Sequence, residues 1–205
     1  MNAANSLLIV ISAPSGGGKT TLCNQLIATQ PNITRAVTST TRPPRPGEAH
    51  GQDYYFFAPE EFQRRVAAGE FAEHATVFGR SYGVLKSELL TKLRSGRDVL
   101  LNIDVQGAAS IQAQAATEPE LKRALVSIFL TPSSLALLET RLRKRNSDPE
   151  AEIQKRLAGA RREIACWDRF DYLVFSTSIE EDLRRTVAIL QAERQRVSRA
   201  TAPEF

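Results

Sequence analysis

The sequence predicts a three-layer α/β fold with a five-stranded parallel sheet, a mostly β insert and a helical lid. Apolar runs of strand length alternate with helix-like stretches along the chain, and strands that are apolar throughout are typical of a sheet buried on both faces. A glycine-rich segment also lies between the first apolar run and a helix-like stretch. The chain has 205 residues, which is long enough to bury such a core.

The predicted elements of the core follow from apolar periodicity and from helix stop signals. Pro31 ends the first helix of the core, Gly96 ends the second, and a polar break at 146–149 separates two later helices. The expected core strands are 7–11, 33–40, 99–104, 125–130 and 172–175, and the expected helices around them are 20–29, 85–95, 105–116, 133–144, 150–166 and 179–197.

The glycine-rich segment, residues 13–20, reads APSGGGKT. Three consecutive glycines let the backbone turn tightly and direct several N–H groups at one anion, at the positive end of the following helix. The segment matches a Walker A loop, GxxxxGK(S/T), with Ala13 in place of the first glycine, and this motif uses Lys19 on the phosphates and Thr20 on Mg²⁺. The alternative is a glycine-rich turn that binds nothing. The predicted phosphate-binding residues are Ala13, Pro14, Ser15, Gly16, Gly17, Gly18, Lys19, Thr20 and Thr21.

Composition argues against several classes of protein. No apolar run approaches the ~20 residues that a membrane span needs, and the N-terminal residues lack the basic start of a signal peptide, so we expect a cytoplasmic protein with no membrane partner. The two cysteines, Cys23 and Cys166, lack the spacing of a metal site or a disulfide framework. The net charge is +4, but its clusters suit short polyphosphates, and we expect no nucleic-acid partner.

Residues 34–84 are expected to form a substrate-binding insert within a core made of residues 1–33 and 85–205. The insert contains strand-like stretches at 51–57, 70–78 and 81–84 and a short helix at 59–68, which is too elaborate for a crossover loop. Prolines stiffen the stretch around Arg42 and Arg45, whose guanidinium groups can each hold a phosphate with paired donors. An exposed basic turn and a PxxP ligand for an SH3-type groove are the alternatives for this stretch.

Asp104 follows the apolar strand 99–104 at its carboxyl end, the edge where α/β sheets place ligands. It can hold Mg²⁺ directly or through water, as a Walker B acid does. The alternative is an N-cap for the following helix, and one residue can serve both purposes.

A lid is predicted over residues 139–156, about the polar break between two basic helices. Guanidinium groups that close over bound phosphates can accelerate phosphoryl transfer by about 10³- to 10⁵-fold. Ordinary surface helices rich in arginine are the alternative. The arginines that the lid would carry are Arg141, Arg143, Arg145 and Arg156.

The chain resembles a known family over nearly its whole length, from residue 7 to about residue 199, and one pattern of residues is the most specific part of that resemblance. It reads Thr38-x-x-x-Arg42-x-x-Arg45-x-Gly47-Glu48-x-x-Gly51-x-x-Tyr54-x-Phe56, joined to Glu73, Tyr82-Gly83 and Ile103-Asp104-x-Gln106-Gly107. Together with the loop, this pattern resembles the guanylate kinases, a nucleoside monophosphate kinase family of P-loop kinases. The resemblance implies a P-loop kinase fold and transfer of a phosphoryl group from ATP, with Mg²⁺, to GMP and also to dGMP.

The resemblance also implies roles for single residues. Thr38 and Glu73 would contact guanine, whose N1–H and 2-amino donors match two carboxylate oxygens, whereas the bare N1 of adenine would be repelled. The residues implied for the GMP site as a whole are Thr38, Arg42, Arg45, Tyr54, Glu73, Tyr82, Asn102 and Asp104. The residues implied to act on the transferring phosphoryl group are Lys19, Arg42, Arg141, Arg145 and Arg156, and those implied for the metal are Thr20 and Asp104.

Three positions depart from the family's pattern. Asn102 stands where an acid is common, Val84 where a hydroxyl usually follows Tyr-Gly, and Ser176 where an asparagine lies near the adenine. Two other functions stay open at this point, namely a related kinase acting on a ribose bisphosphate and a non-catalytic guanylate-kinase-like module that binds a protein. The intact loop argues against the module, and Thr38 with Glu73 argues against the sugar kinase. Oligomeric state is left undetermined.

Overall fold

The chain folds around a parallel sheet with helices on both faces, and the computed structural model describes residues 6–144 and 149–200. The strands are β1 (Leu8–Ser12), β2 (Ile33–Arg35), β3 (Thr38–Thr40), β4 (Tyr54–Phe56), β5 (Phe71–Val77), β6 (Arg80–Leu85), β7 (Asp98–Asn102), β8 (Leu125–Thr131) and β9 (Tyr172–Phe175). The helices are α1 (Lys19–Thr29), α2 (Pro59–Ala67), α3 (Lys86–Arg94), α4 (Val105–Thr117), α5 (Pro119–Ala124), α6 (Leu135–Lys144), α7 (Glu150–Ile164) and α8 (Ile179–Arg194).

Five strands form the core sheet in the order β2-β7-β1-β8-β9, and every pairing in it is parallel. The central strand β1 is buried along its whole length, and its Ile9 pairs with Leu100 on one side and with Val126 on the other. All strands therefore end at one edge, which is where the loop and Asp104 lie. This sheet confirms the predicted five-stranded parallel core.

Helices cover both faces of the sheet, which makes the three layers. On one face Leu26 of α1 and Leu190 of α8 pack against the strands, and on the other face Leu89 of α3 and Ile111 of α4 do so. These side chains are no more than 1 % exposed. Helix α5, which the periodicity did not predict, adds Leu121 to the second face.

A second, four-stranded sheet has the order β4-β3-β6-β5, in which β3 and β4 are parallel and β6 is antiparallel to both of its neighbours. Helix α2 covers it by stacking Phe62 on Phe71, with ring centroids 4.4 Å apart. The predicted strand 33–40 is two strands, because the chain leaves the core sheet after β2 and enters the second sheet at β3. Thr34 therefore pairs in the core sheet, although the insert was predicted to begin there.

Helices α6 and α7 form the predicted lid region and pack against each other through Leu138, Leu142, Ile153 and Ala160. Arg145 lies outside the described residues, as does most of the polar break between these helices. Across residues 6–144 and 149–200, no helix combines the length and the apolar character needed to cross a bilayer.

Candidate active site

The loop between β1 and α1 has the backbone that its glycines predict. Gly16 and Gly18 have φ angles of +87° and +99°, and the Gly17 N–H donates to the Pro14 carbonyl oxygen at 2.8 Å. A Cβ at Gly16 would lie 2.6 Å from Leu142 Cδ2 of α6, so conformation and space both require glycine there. Helix α1 begins behind this turn with no side-chain cap and no acidic residue in its first turn. Its first N–H groups are thus directed at the loop, where an anion would accept from them.

Ala13 is compatible with this loop. Phe78 is the one residue other than glycine with a positive φ in the part of the chain that the structure describes, so Ala13 keeps a negative φ. Its side chain is 3 % exposed and contributes to the core. An alanine in place of the usual glycine therefore fits the conformation of this loop without strain.

Lys19 extends from the start of α1 across to the end of β7, where its Nζ donates to the Ile103 carbonyl oxygen at 2.8 Å. Burial lowers the pKa of this amine, and the nearby carboxylates of Asp104 and Glu163 partly oppose that shift. A phosphate oxygen would offer Lys19 a charged acceptor in place of a neutral carbonyl, which is the stronger hydrogen bond.

Asp104 is the N-cap of α4, as the alternative interpretation held. Its Oδ1 accepts from the N–H groups of Gln106 and Gly107 at 3.1 and 2.8 Å, so capping engages one of its two oxygens. Asn102 Nδ2 lies 3.5 Å from Thr20 Oγ1. The described residues include no cluster of three His, Cys, Asp or Glu side chains that could hold a metal. A magnesium ion at Thr20 would accordingly take most of its ligands from phosphate and water, as Mg²⁺ commonly does.

A cavity of about 410 Å³ lies between the core sheet and the second sheet. Both sheets contribute to its wall. Thr38, Glu73 and Tyr82 come from the second sheet, whereas Asn102 is the last residue of β7 in the core sheet and Asp104 follows two positions later. The structure therefore gathers these five predicted residues, which are separated by up to 66 positions in the chain, around one cavity.

The carboxyl group of Glu73, in the wall of this cavity, has a raised pKa. Burial raises its pKa to about 7, and the negative charge of Asp104 acts in the same direction. The neighbouring strand approaches Glu73 closely, since a Cβ at Gly83 would lie 2.8 Å from the Glu73 carbonyl oxygen. Gly83 is thus needed to keep Glu73 at this place on β5.

We expect the KM for GMP to fall as the pH rises from about 6 to about 8. The resemblance implies that Glu73 accepts from two guanine donors, which requires the ionised carboxylate, and its pKa of about 7 makes the ionised fraction increase across this range. The check is a pH profile of the KM for GMP in parallel with that of the Glu73→Gln variant. A variant profile with the same pH dependence would show that a group other than Glu73 is responsible.

Arg42 is held beside the aromatic residues of the second sheet. Its Nη2 donates to Glu48 Oε1 at 2.8 Å, and its guanidinium carbon lies 5.3 Å from the centre of the Tyr54 ring. The other oxygen of Glu48 accepts from the Arg45 N–H at 2.7 Å, so one carboxylate fixes the whole turn. The Arg45 residue itself is exposed, and neither Arg42 nor Tyr54 lines the 410 Å³ cavity.

The lid arginines contact protein groups. Arg141 donates to Ser176 Oγ at 2.8 Å and to the carbonyl oxygens of Ser176 and Thr177 at 3.1 Å, which ties α6 to the segment after β9. Ser176 in turn donates to Asp182 Oδ2 at 2.6 Å. Arg156 pairs with Glu152 on its own helix at 3.5 Å.

Glu163 is a residue of the loop's surroundings that the sequence motifs did not indicate. It lies at the end of α7, and its Oε2 accepts from the Ser15 N–H of the loop at 3.1 Å. Glu163 lies seven residues after Arg156, which puts both side chains on one face of the helix. This spacing is the feature of the sequence that could have indicated Glu163.

The loop cavity and the cavity between the two sheets meet at Asn102, which lines the second cavity and lies 3.5 Å from Thr20 of the loop. The fold and the site thus define a nucleoside monophosphate kinase. A family model described as "Guanylate kinase" matches residues 5–193. The chain belongs to the guanylate kinase family.

Individual relatives agree with this membership along most of their length. The guanylate kinase of Maricaulis maris is 44% identical over 188 residues, which cover 92% of this chain and 84% of the relative. The guanylate kinase of Coxiella burnetii is 44% identical over 194 residues, which cover 95% of this chain and 90% of the relative. The crystal structure of guanylate kinase from Anaplasma phagocytophilum matches with a TM-score of 0.67 and 36% identity, and covers 95% of this chain and 89% of that one.

Proposed function

We propose that the loop and the cavity between the two sheets are the donor and acceptor halves of one active site. The chain is a nucleoside monophosphate kinase that uses ATP to phosphorylate GMP. The observation that carries the residue-level proposal is the position of Asn102, which lines the acceptor cavity and also lies 3.5 Å from Thr20 of the loop. The two halves therefore share an edge, as direct transfer between two bound nucleotides requires.

On the acceptor side, we propose that residues 38–84, which are the predicted insert from the start of β3 onwards and without the part of β2 that pairs in the core sheet, form the GMP-binding unit. Glu73 and Thr38 select guanine, since both present oxygen acceptors to the same cavity. The residues that hold the GMP phosphate are Arg42, Arg45, Tyr54 and Tyr82, and Asn102 and Asp104 complete the wall. All of these roles concern the base or the phosphate, so dGMP is an acceptor as well.

On the donor side, residues 13–21 hold the ATP phosphates with their N–H groups and with Lys19. Thr20 and Asp104 would hold Mg²⁺, in part through water, and that ion supplies positive charge to the phosphates when it is bound. Arg141, Arg145 and Arg156 belong to the lid, residues 139–156, and act on the transferring phosphoryl group once the lid reaches it.

Little covalent chemistry is required of these residues. A phosphate oxygen of GMP is already an anionic nucleophile, so the reaction needs no general base. The residues instead align two polyanions that repel each other and neutralise the charge that develops during transfer. Closure of the insert and the lid would also exclude water and so limit hydrolysis of ATP.

The substrates are ATP and GMP, and other partners remain predictions. The sequence-based expectations of a cytoplasmic location and of no nucleic-acid partner are unchanged. Neither the ribose bisphosphate kinase nor the protein-binding module is favoured by the family membership.

The proposed specificity can be tested with a coupled assay of ADP release, using ATP and Mg²⁺ with GMP, dGMP, AMP, UMP or ribose bisphosphate in turn. We expect turnover with GMP and dGMP, and a kcat/KM for AMP lower by roughly 10⁴-fold, because a site built for polar donors rejects an analogue that lacks them. Equal or greater turnover with AMP or with the sugar phosphate would refute the guanine assignment.

A further inference from the structure

Glu163 enters the phosphate loop from outside it. The cavity of the loop, about 320 Å³, is lined by Glu163 and otherwise by residues 13–21 among those the structure describes. The carboxylate accepts from the Ser15 N–H at 3.1 Å. This negatively charged oxygen accepts the same kind of hydrogen bond from the loop N–H that a phosphate oxygen would accept.

The electrostatics of the loop agree with this position. The charge of Glu163 is close enough to Lys19 to raise the pKa of its amine, against the larger opposite effect of burial. One N–H group cannot donate at full strength to both a carboxylate and a phosphate, and two anions at one place repel each other. Glu163 and a nucleotide phosphate therefore exclude each other from the Ser15 N–H.

A second cavity, of about 600 Å³, lies on the other side of Glu163, between the start of α4 and α7. Arg162 and Arg169 line it together with Glu163. A Cβ at Gly159 of α7 would meet no atom within 4 Å, so this part of the helix has open space beside it. The carboxylate can accordingly leave the loop for a place lined by two cations, Arg162 and Arg169, and by one other carboxylate, Asp104.

We propose that Glu163 is an internal competitor for the donor phosphates, and that its displacement by ATP releases α7 from the loop. The proposal rests on the assignment of residues 13–21 as the donor site. Arg156 lies seven residues before Glu163, which is two helical turns or about 10.5 Å along the axis on the same face. Release of Glu163 therefore frees the end of the helix that also carries Arg156, so occupancy of the loop is coupled to the position of α7.

The test is the Kd for ATP, and in a second series for pyrophosphate, measured by calorimetry without GMP so that no turnover occurs. We expect Glu163→Gln to bind ATP about tenfold more tightly, because a competitor that occupies a site nine-tenths of the time weakens the apparent affinity tenfold. The Kd for GMP should not change. Asp168→Asn is the matched control, since it removes an exposed negative charge a few residues further along, and its Kd for ATP should equal that of the unmodified protein.

The variant Glu163→Asp and amide hydrogen exchange in α7 provide two further tests. Glu163→Asp retains the charge but withdraws it from the Ser15 N–H, so it should also bind ATP more tightly, and it serves if the glutamine variant does not fold. Amide hydrogen exchange in α7 should increase when ATP binds to the unmodified protein and should be high in Glu163→Gln without ATP. A Kd for ATP equal to or weaker than normal in a folded variant would overturn the proposal. If the Kd for ATP of Lys19→Ala equalled that of the unmodified protein, the assignment of residues 13–21 as the donor site would itself be refuted.

Discussion

Replacing Glu73 with glutamine is expected to raise the KM for GMP by about 10- to 100-fold and to leave the KM for ATP within about twofold of normal. A hydrogen bond to a charged group contributes about 1.5–3 kcal/mol, and the variant would also direct an amide N–H₂ at the N–H groups of guanine. Glu73 lies in the wall of the acceptor cavity and does not line the cavity of the loop, so the loss should fall on GMP alone. Steady-state kinetics with each substrate varied in turn provide the measurement.

Glu60→Gln is the matched control for this experiment. Glu60 is an exposed carboxylate on α2 of the same unit, and its replacement removes the same charge with little effect on either KM. If Glu73→Gln raised both KM values equally, Glu73 would have a structural role and the base-selecting role would be refuted.

Replacing Lys19 with alanine is expected to lower kcat by about 10³-fold while the Kd for GMP stays within about twofold. Removal of one charged group that stabilises the transferring phosphoryl costs about 10²- to 10³-fold in rate, and Lys19 is also a contact to the donor phosphates. Its amine lies at the loop side of β7, bonded to Ile103. Single-turnover kinetics and calorimetry with GMP measure the two quantities separately.

The fold should tolerate this change. Burial lowers the pKa of the Lys19 amine, which means that its positive charge is disfavoured in the folded protein, so the melting temperature should not fall. Lys122→Ala, at an exposed position of α5, is the control for loss of a lysine and should keep normal kcat. Loss of GMP binding in Lys19→Ala would contradict a layout with separate donor and acceptor halves.

Local patterns predicted the elements that local interactions define. Strand β9 has the predicted bounds, Tyr172–Phe175, since four apolar residues lie between polar ones, and α4 begins after Asp104, as predicted. The division of residues 33–40 into two strands could not be predicted locally, because the alternation of apolar and polar residues continues through the point where β2 ends and β3 begins. The Val37 N–H at that break donates to Glu88, a residue 51 positions further along the chain.

The candidate site shows the same division between local and distant interactions. The loop was predictable because three adjacent glycines, a lysine and a threonine define its backbone and its chemistry within eight residues. The sequence allowed Asp104 to be a helix cap, a metal ligand or both, and the structure shows the cap, since its Oδ1 accepts from the N–H groups of Gln106 and Gly107. Glu163 could not be placed from its own surroundings, since it is one of many charged residues in α7 and its partner Ser15 is 148 positions away.

The sequence by itself determined the fold class, the glycine-rich turn between β1 and α1, and the family resemblance, because each depends on residue types at short or regular spacings. Only the tertiary structure decided which distant side chains meet. It brings Glu73 and Asn102 to one cavity, ties Arg141 to the segment after β9, and puts the carboxylate of Glu163 in the loop. The physical reason is that these contacts depend on how the two sheets and the lid helices pack, and packing joins residues whose separation along the chain carries no pattern.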